Sequence, residues 1–195
     1  MQSKQDKIEL IELLKAGNMP AFKHLVEENQ KKVFRLCLGY VKNEEEAEDL
    51  AQEVFIEVHE SISSFHGQSS LGTWIYRIAV NKSLERIRYY KRSKRFAWLT
   101  SLFGAEEKYS SYAYDWVHPG VKLENAERSK ILYKAIDSLP DKQHATFILH
   151  KVEGMSYKQI AEVLELSLSA VESLIFRANS NLRNELEQYY KEDKL

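Results

Sequence analysis

Thr73–Arg95, TWIYRIAVNKSLERIRYYKRSKR, is the stretch whose reading decides the fold. Ile75, Ile78, Ala79, Val80, Leu84 and Ile87 recur at three- and four-residue steps, the apolar stripe of a packed helix. Arg77, Asn81, Arg88 and Arg92 follow at steps of four, seven and four on a different face. From Arg77 to Arg95, eight Lys or Arg stand against the single acid Glu85, a balance of +7, with Trp74, Tyr76, Tyr89 and Tyr90 set among them. Cations track phosphates and displace counterions. Flat rings stack on unpaired bases at about 1–3 kcal/mol each. A solvated basic helix whose aromatics are simply core is the plainer alternative.

Upstream the charge reverses. Glu44–Glu60 holds eight acids and no Lys or Arg, so the formal net charge of −1 over 195 residues conceals two opposed blocks. Hydrophobic residues at 44% support real cores, and only seven Gly and three Pro argue against a loop-rich or all-β chain. The expectation is an all-α protein of two small helical domains, an N-terminal bundle and a C-terminal helix-turn-helix unit, joined by an irregular linker. One cysteine, Cys37, cannot form an internal disulfide and reads as a buried small hydrophobe in a reducing compartment. The N-terminus lacks an apolar leader, and no stretch reaches the ~20 apolar residues of a membrane span. A cytoplasmic protein with no membrane insertion is expected.

Ile8, Ile11 and Leu14 outline a first helix closed at Gly17, and Pro20 suits the first turn of a second. That second helix carries the stripe Phe22, Leu25, Val26, Val33, Leu36, Cys37 and Tyr40. Asn43 is placed to cap a third helix, with Ala47, Leu50, Ala51, Val54, Phe55, Val58 and Ile62 inward and Glu48, Asp49, Gln52, Glu53 and Glu57 largely outside. Periodicity fails from Phe96 to about Leu123, a span nonetheless rich in rings: Phe96, Trp98, Phe103, Tyr109, Tyr112, Tyr114 and Trp116. Helical spacing resumes over Glu124–Ser138, with Ile131, Leu132, Ala135, Ile136 and Leu139 apolar, and again from Asp141 towards Gly154. Ser156 and Gln159 form a capping-box pattern opening a short helix. After Glu165–Ser167 comes a longer helix with Val171, Leu174, Ile175, Ala178 and Leu182 facing inward. Short helix, three-residue turn, longer helix is helix-turn-helix spacing.

Four segments carry a resemblance: TWIYRIAVN at Thr73–Asn81, preceded by EAEDLAQEVFIEV at Glu46–Val58 and the SSFHG loop; and Ser138–Arg183 near the C-terminus. In order and separation they resemble the extracytoplasmic-function (ECF) class of bacterial sigma factors, within the sigma-70 family. The resemblance implies boundaries at 1–95 for polymerase docking and −10 recognition, 96–123 for the linker and 124–195 for −35 recognition. It implies a partner, core RNA polymerase, engaged through the clamp helices of its β′ subunit by Asp49, Gln52, Glu53 and Phe55, with contacts to the β subunit as well. It implies promoter DNA as a ligand and an anti-sigma factor as a further partner. Ser69, Ser70 and Asn81 would line a pocket for one flipped base of the −10 element, where returned contacts offset lost stacking. Asn can read a base edge bidentately, which makes Asn81 the first choice for readout. Trp74 joins this set or is structural, and Arg77, Arg86, Arg88 and Arg92 would hold phosphates. The linker would either thread the polymerase's RNA-exit channel or dock on the two domains.

The recognition helix departs from the usual sigma pattern. Where Gly-Thr-Val-Lys or -Arg is common, this chain has Ser169-Ala170-Val171-Glu172, and Leu174 and Asn179 replace later basic residues. Tyr157, Lys158, Ser167, Ser169, Glu172, Ser173, Phe176 and Arg177 remain as −35 contacts. Glu172 would accept from a cytosine amino group or cap Ser169. With few cations, binding of this domain alone to the −35 duplex is expected to be weak and its salt slope shallow. No catalytic residue, metal ligand or cofactor is expected, since the six His show no ligand spacing and no Gly-rich phosphate loop is present. The competing class is a conventional helix-turn-helix regulator working without polymerase, which would leave the acidic and basic helices without a purpose.

Overall fold

The computed structural model describes residues 4–102 and 123–192. Eight helices are present among them: α1 (Lys4–Lys15), α2 (Met19–Val41), α3 (Glu44–Ser61), α4 (Leu71–Leu102), α5 (Leu123–Ser138), α6 (Asp141–Lys151), α7 (Tyr157–Leu164) and α8 (Leu168–Glu192). A single 3-10 turn, Ile62–Ser64, follows α3.

The helix ends are set by caps. The Asn18 side chain accepts from the Ala21 amide and opens α2, with Pro20 in its first turn. Asn43 does the same for α3 through the Glu46 amide. Gly17 ends the α1 turn at φ +73, a conformation that costs glycine nothing. Ser156 and Gln159 form the reciprocal capping box of α7.

The stripe of α2 packs on those of α3 and α4. Leu36, Cys37, Ala47, Leu50, Val54, Val58, Ile75, Ala79 and Val80 are all buried. Burial pushes the Cys37 thiol up to about 12, which makes it the inert small hydrophobe its setting suggested. In the C-terminal half, Ala135, Ile136 and Leu139 of α5, Ile148 and Leu149 of α6, Ile160 and Val163 of α7, and Val171, Ile175, Ala178 and Leu182 of α8 close a second core.

Two readings of the sequence are corrected here, and a third falls outside the described residues. Helix α4 runs to Leu102 rather than stopping at Arg95, so Phe96 and Trp98 fall within its span. Phe103, Tyr109, Tyr112, Tyr114 and Trp116, to which a docked or threaded path had been assigned, lie outside the described residues. Leu132 is 40% exposed, because the inward face of α5 is used up by Ala135, Ile136 and Leu139.

The two halves touch. Gly39 of α2 lies so close to α6 that a Cβ there would meet Ile148 Cγ2 at 3.3 Å and Val152 Cγ1 at 3.6 Å. Beside it, the Tyr40 and His144 rings sit 5.1 Å apart. Helix α4 crosses both α6 and α7.

Candidate nucleic-acid interface

Ser70 sets the entry to the basic helix. Its Oγ accepts from the Thr73 amide at 3.0 Å and pairs with the Thr73 hydroxyl at 2.8 Å. The Ser70 hydroxyl is therefore the helix cap, while Ser69 donates to the Ser70 carbonyl at 3.4 Å. Trp74 turns inward and packs against Phe65, ring centroids 5.3 Å apart, a structural setting for the residue. Asn81, two turns further on, lies close to the same side of the helix but is open to solvent. It is exposed, its side chain makes no hydrogen bond among the described residues, and it borders a recess with Glu57, Ile78, Lys82 and Glu85.

The cations of α4 are mostly engaged. Arg86 donates to Glu53 at 2.6 Å and Lys82 pairs with Glu57 at 3.1 Å. Tyr90 donates to Glu46 at 2.6 Å, and with burial this pushes its phenol up to about 12. These bridges hold the acidic face of α3 against the basic face of α4 and neutralise part of both. Arg92 remains exposed beside Glu85, Arg88 and Lys91.

Two α4 arginines reach the other half. Arg88 Nε donates to Asp141 Oδ2 at 2.7 Å. Arg77 spends its whole guanidinium on the C-terminal end of α7: Nε to the Val163 carbonyl at 3.2 Å, Nη2 to the Glu162 carbonyl at 2.9 Å, and Nη1 to Glu165 Oε1 at 2.5 Å. Unpaired carbonyls and the negative dipole end of a helix form a ready cation site.

On α3, Asp49, Gln52 and Glu53 are exposed. Phe55 is only 8% exposed and shows an edge to a shallow groove with Val26, Phe34 and Gln52. Ile56, which periodicity alone did not single out, projects beside it at 57% exposure.

The second helix of the helix-turn-helix unit keeps an open face. Ser169, Glu172, Ser173, Phe176 and Arg177 are exposed, Phe176 at 75%. Lys158 is exposed, whereas the Tyr157 ring packs edge-on against His150. The cap of α8 is Ser167, whose Oγ accepts from the Ala170 amide at 3.2 Å. Glu172 has no part in it, so the proposed Ser169–Glu172 cap is corrected: Ser169 already lies inside the helix. Glu165, which forms the turn, was not singled out from sequence, nor were Lys42, Asp141 and Glu153. Their partners lie over fifty residues away in sequence, beyond any local pattern.

Comparison with known proteins places both halves. Residues 25–93 match Sigma-70 region 2, and residues 129–182 match Sigma-70, region 4. The chain is 33% identical over 178 residues to the ECF RNA polymerase sigma factor SigW of Bacillus subtilis, covering 90% of this chain and 94% of that one. It is 31% identical over 178 residues to the ECF RNA polymerase sigma-E factor of Haemophilus influenzae, covering 91% and 94%. Among solved structures, the fold is similar to CnrH in complex with the cytosolic domain of CnrY, with a TM-score of 0.62, 20% identity and coverage of 93% and 97%. It is also similar to the Bartonella quintana sigma factor RpoE in complex with the anti-sigma factor NepR, with a TM-score of 0.56, 20% identity and coverage of 85% and 96%. Two sigma regions in chain order, together with relatives matched along nearly their whole length, establish that the chain belongs to the ECF RNA polymerase sigma factors, proteins that are not enzymes and that direct promoter-specific transcription initiation.

Proposed function

We propose that residues 1–95 dock this chain on core RNA polymerase and capture the melted −10 strand, and that residues 124–195 read the −35 duplex. The polymerase surface is the exposed acidic side of α3, with Asp49, Gln52 and Glu53 outermost and Phe55 shaping the groove beside them. The β′ clamp helices are its partner there, with the β subunit contributing elsewhere.

The observation that carries this reading is Asn81, an exposed amide with no partner of its own on a helix otherwise devoted to core and cations. An Asn side chain offers one donor pair and one acceptor, the complement of a base edge. Ser69 lies just before the start of the same helix, and Arg92, with Arg77, Arg86 and Arg88 once their internal partners yield, supplies phosphate contacts. At the −35 element, Phe176 offers apolar contact and Arg177 a charge, with Ser169, Ser173, Lys158 and Glu172 around them. Two weak readers tethered on one polymerase gain specificity through effective concentration.

Like the RpoE relative solved with NepR, this factor is held by an anti-sigma partner between uses. It works in the cytoplasm; no helix among the described residues is long and apolar enough to cross a membrane. Gel filtration with bacterial core polymerase, followed by run-off transcription from a promoter library, tests the reading. Co-elution with discrete transcripts is expected. Failure to co-elute overturns it.

A further inference from the structure

Between Leu168 and Asn184, helix α8 carries a single acid, Glu172. Val171, Ile175 and Ala178 hold its core side, which leaves Ser169, Glu172, Ser173 and Phe176 exposed together. The fold gives Glu172 no task. Ser167 already caps the helix, and the Glu172 side chain makes no hydrogen bond or ion pair among the described residues. Its neighbours at three and four residues are Leu168, Ser169, Ile175 and Phe176, none of them a cation that could pair with it. A carboxylate on a surface that approaches phosphates is repelled unless it meets a hydrogen-bond donor.

We propose that Glu172 sets base specificity at the −35 element, accepting a hydrogen bond from the exocyclic amino group of a cytosine in the major groove. This rests on the promoter-binding reading above and names the base chemistry of that site. An ionised carboxylate only accepts. In the major groove guanine offers it N7 and O6, thymine O4 and a methyl group, and adenine an amino group beside the N7 lone pair. Cytosine alone presents a donor with no acceptor next to it. Where the usual sigma pattern sets Lys or Arg, a side chain suited to guanine or phosphate, the acid inverts the demand. Phe176 lies one turn further on, about 6 Å along the helix and so about two base steps away. Its exposed ring suits a thymine methyl, and Ser169 and Ser173 adapt to either base. The face therefore fits a cytosine with a thymine within about two base pairs of it.

The test uses bacterial core RNA polymerase loaded with the full chain, and a promoter library randomised across the −35 element. Run-off transcripts made with wild type should favour cytosine at one position, by about fivefold over guanine or thymine, the low end for one base contact. Glu172→Gln keeps the shape and adds a donor. Preference at that position should then move to adenine, whose N6 and N7 an amide meets together. Glu172→Ala should make the position indifferent while the other positions keep their preferences. Phe176→Ala should relax a thymine preference within about two base pairs of the cytosine. Thermal melts of both Glu172 variants should match wild type, because the side chain is exposed and unpaired among the described residues. Variants that transcribe more from every promoter alike would show that Glu172 merely repels phosphates, and would overturn the base contact. An unchanged base profile would overturn it too. A wild type that gives no transcript at all would instead sink the promoter-binding reading, and this inference with it.

Discussion

Arg86 donates to Glu53 across 2.6 Å, joining the basic helix assigned to promoter DNA to the acidic helix assigned to polymerase. Neither residue is a free surface charge, so substitutions at Glu53 report on two things at once. Asp49, exposed and with no side-chain partner among the described residues, is the cleaner probe. Asp49→Arg should lower affinity for core polymerase with unchanged thermal stability. Glu53→Arg should lower both, placing like charges together and losing a partly exposed pair worth up to about 1 kcal/mol. Fluorescence titration with core enzyme, alongside thermal melts, separates the two; equal melts would show that the Arg86 bridge contributes nothing.

Asn81→Ala should abolish promoter opening while polymerase binding and stability stay put, the latter within about 0.5 kcal/mol, because an exposed side chain without partners is being removed. Permanganate footprinting of a transcribed promoter checks opening. Loss of polymerase binding in the same variant would instead make Asn81 part of the docking surface.

His144 sets a pH dependence. Burial beside Tyr40 lowers its pKa to about 4 from 6.5, with Asp137 and Asp141 opposing the shift and Lys42 and Lys91 reinforcing it. A folded-state value below the unfolded one means that the unfolded chain takes up the proton first. The contribution is therefore intact above pH 6.5 and is lost as pH falls from there towards 4. The slope approaches about 1.4 kcal/mol per unit, or about 2 kcal/mol between pH 6.5 and 5. Denaturant melts of wild type and His144→Met at both pH values should differ by that amount; parallel pH profiles would contradict it.

Arg177→Ala should weaken use of a −35 element and shallow the duplex salt slope by about 1 if the guanidinium holds a phosphate. Its exposure on α8 predicts unchanged stability. Run-off transcription at two salt concentrations measures both effects. An unchanged slope would move the contact to Phe176 and the serines.

Ser156→Ala removes half of the α7 capping box and should cost about 1 kcal/mol in a thermal melt. A silent substitution would mean that Gln159 alone satisfies the helix end.

Much of this architecture was legible before any coordinates. Asn43, Ser156 and the Gly17 turn are local signals, each settled by hydrogen bonds within three or four residues, so caps and helix starts can be read one residue at a time. The apolar steps of Leu50, Val54 and Val58, and of Ile75, Ala79 and Val80, identify core faces because burial follows helical period. Where that period is the only guide it misleads at margins: Leu132 shares the spacing of its neighbours, yet only their side is covered. Ser70 and Ser167, expected at the DNA surface, also cap helices, since a hydroxyl before a helix serves its own backbone.

The sequence by itself determined an all-α chain, the opposed charges of α3 and α4, the helix-turn-helix spacing and the sigma resemblance, because periodicity, caps and charge runs are properties of neighbouring residues. Only the tertiary structure decided how those charges are spent. It pairs Arg86 with Glu53 and Lys82 with Glu57, it buries Lys42 against Asp137, and it closes Arg77 on the end of α7. Such pairings join residues that are distant in the chain. A charge written in sequence carries no sign of its partner until packing brings the two within a few ångströms.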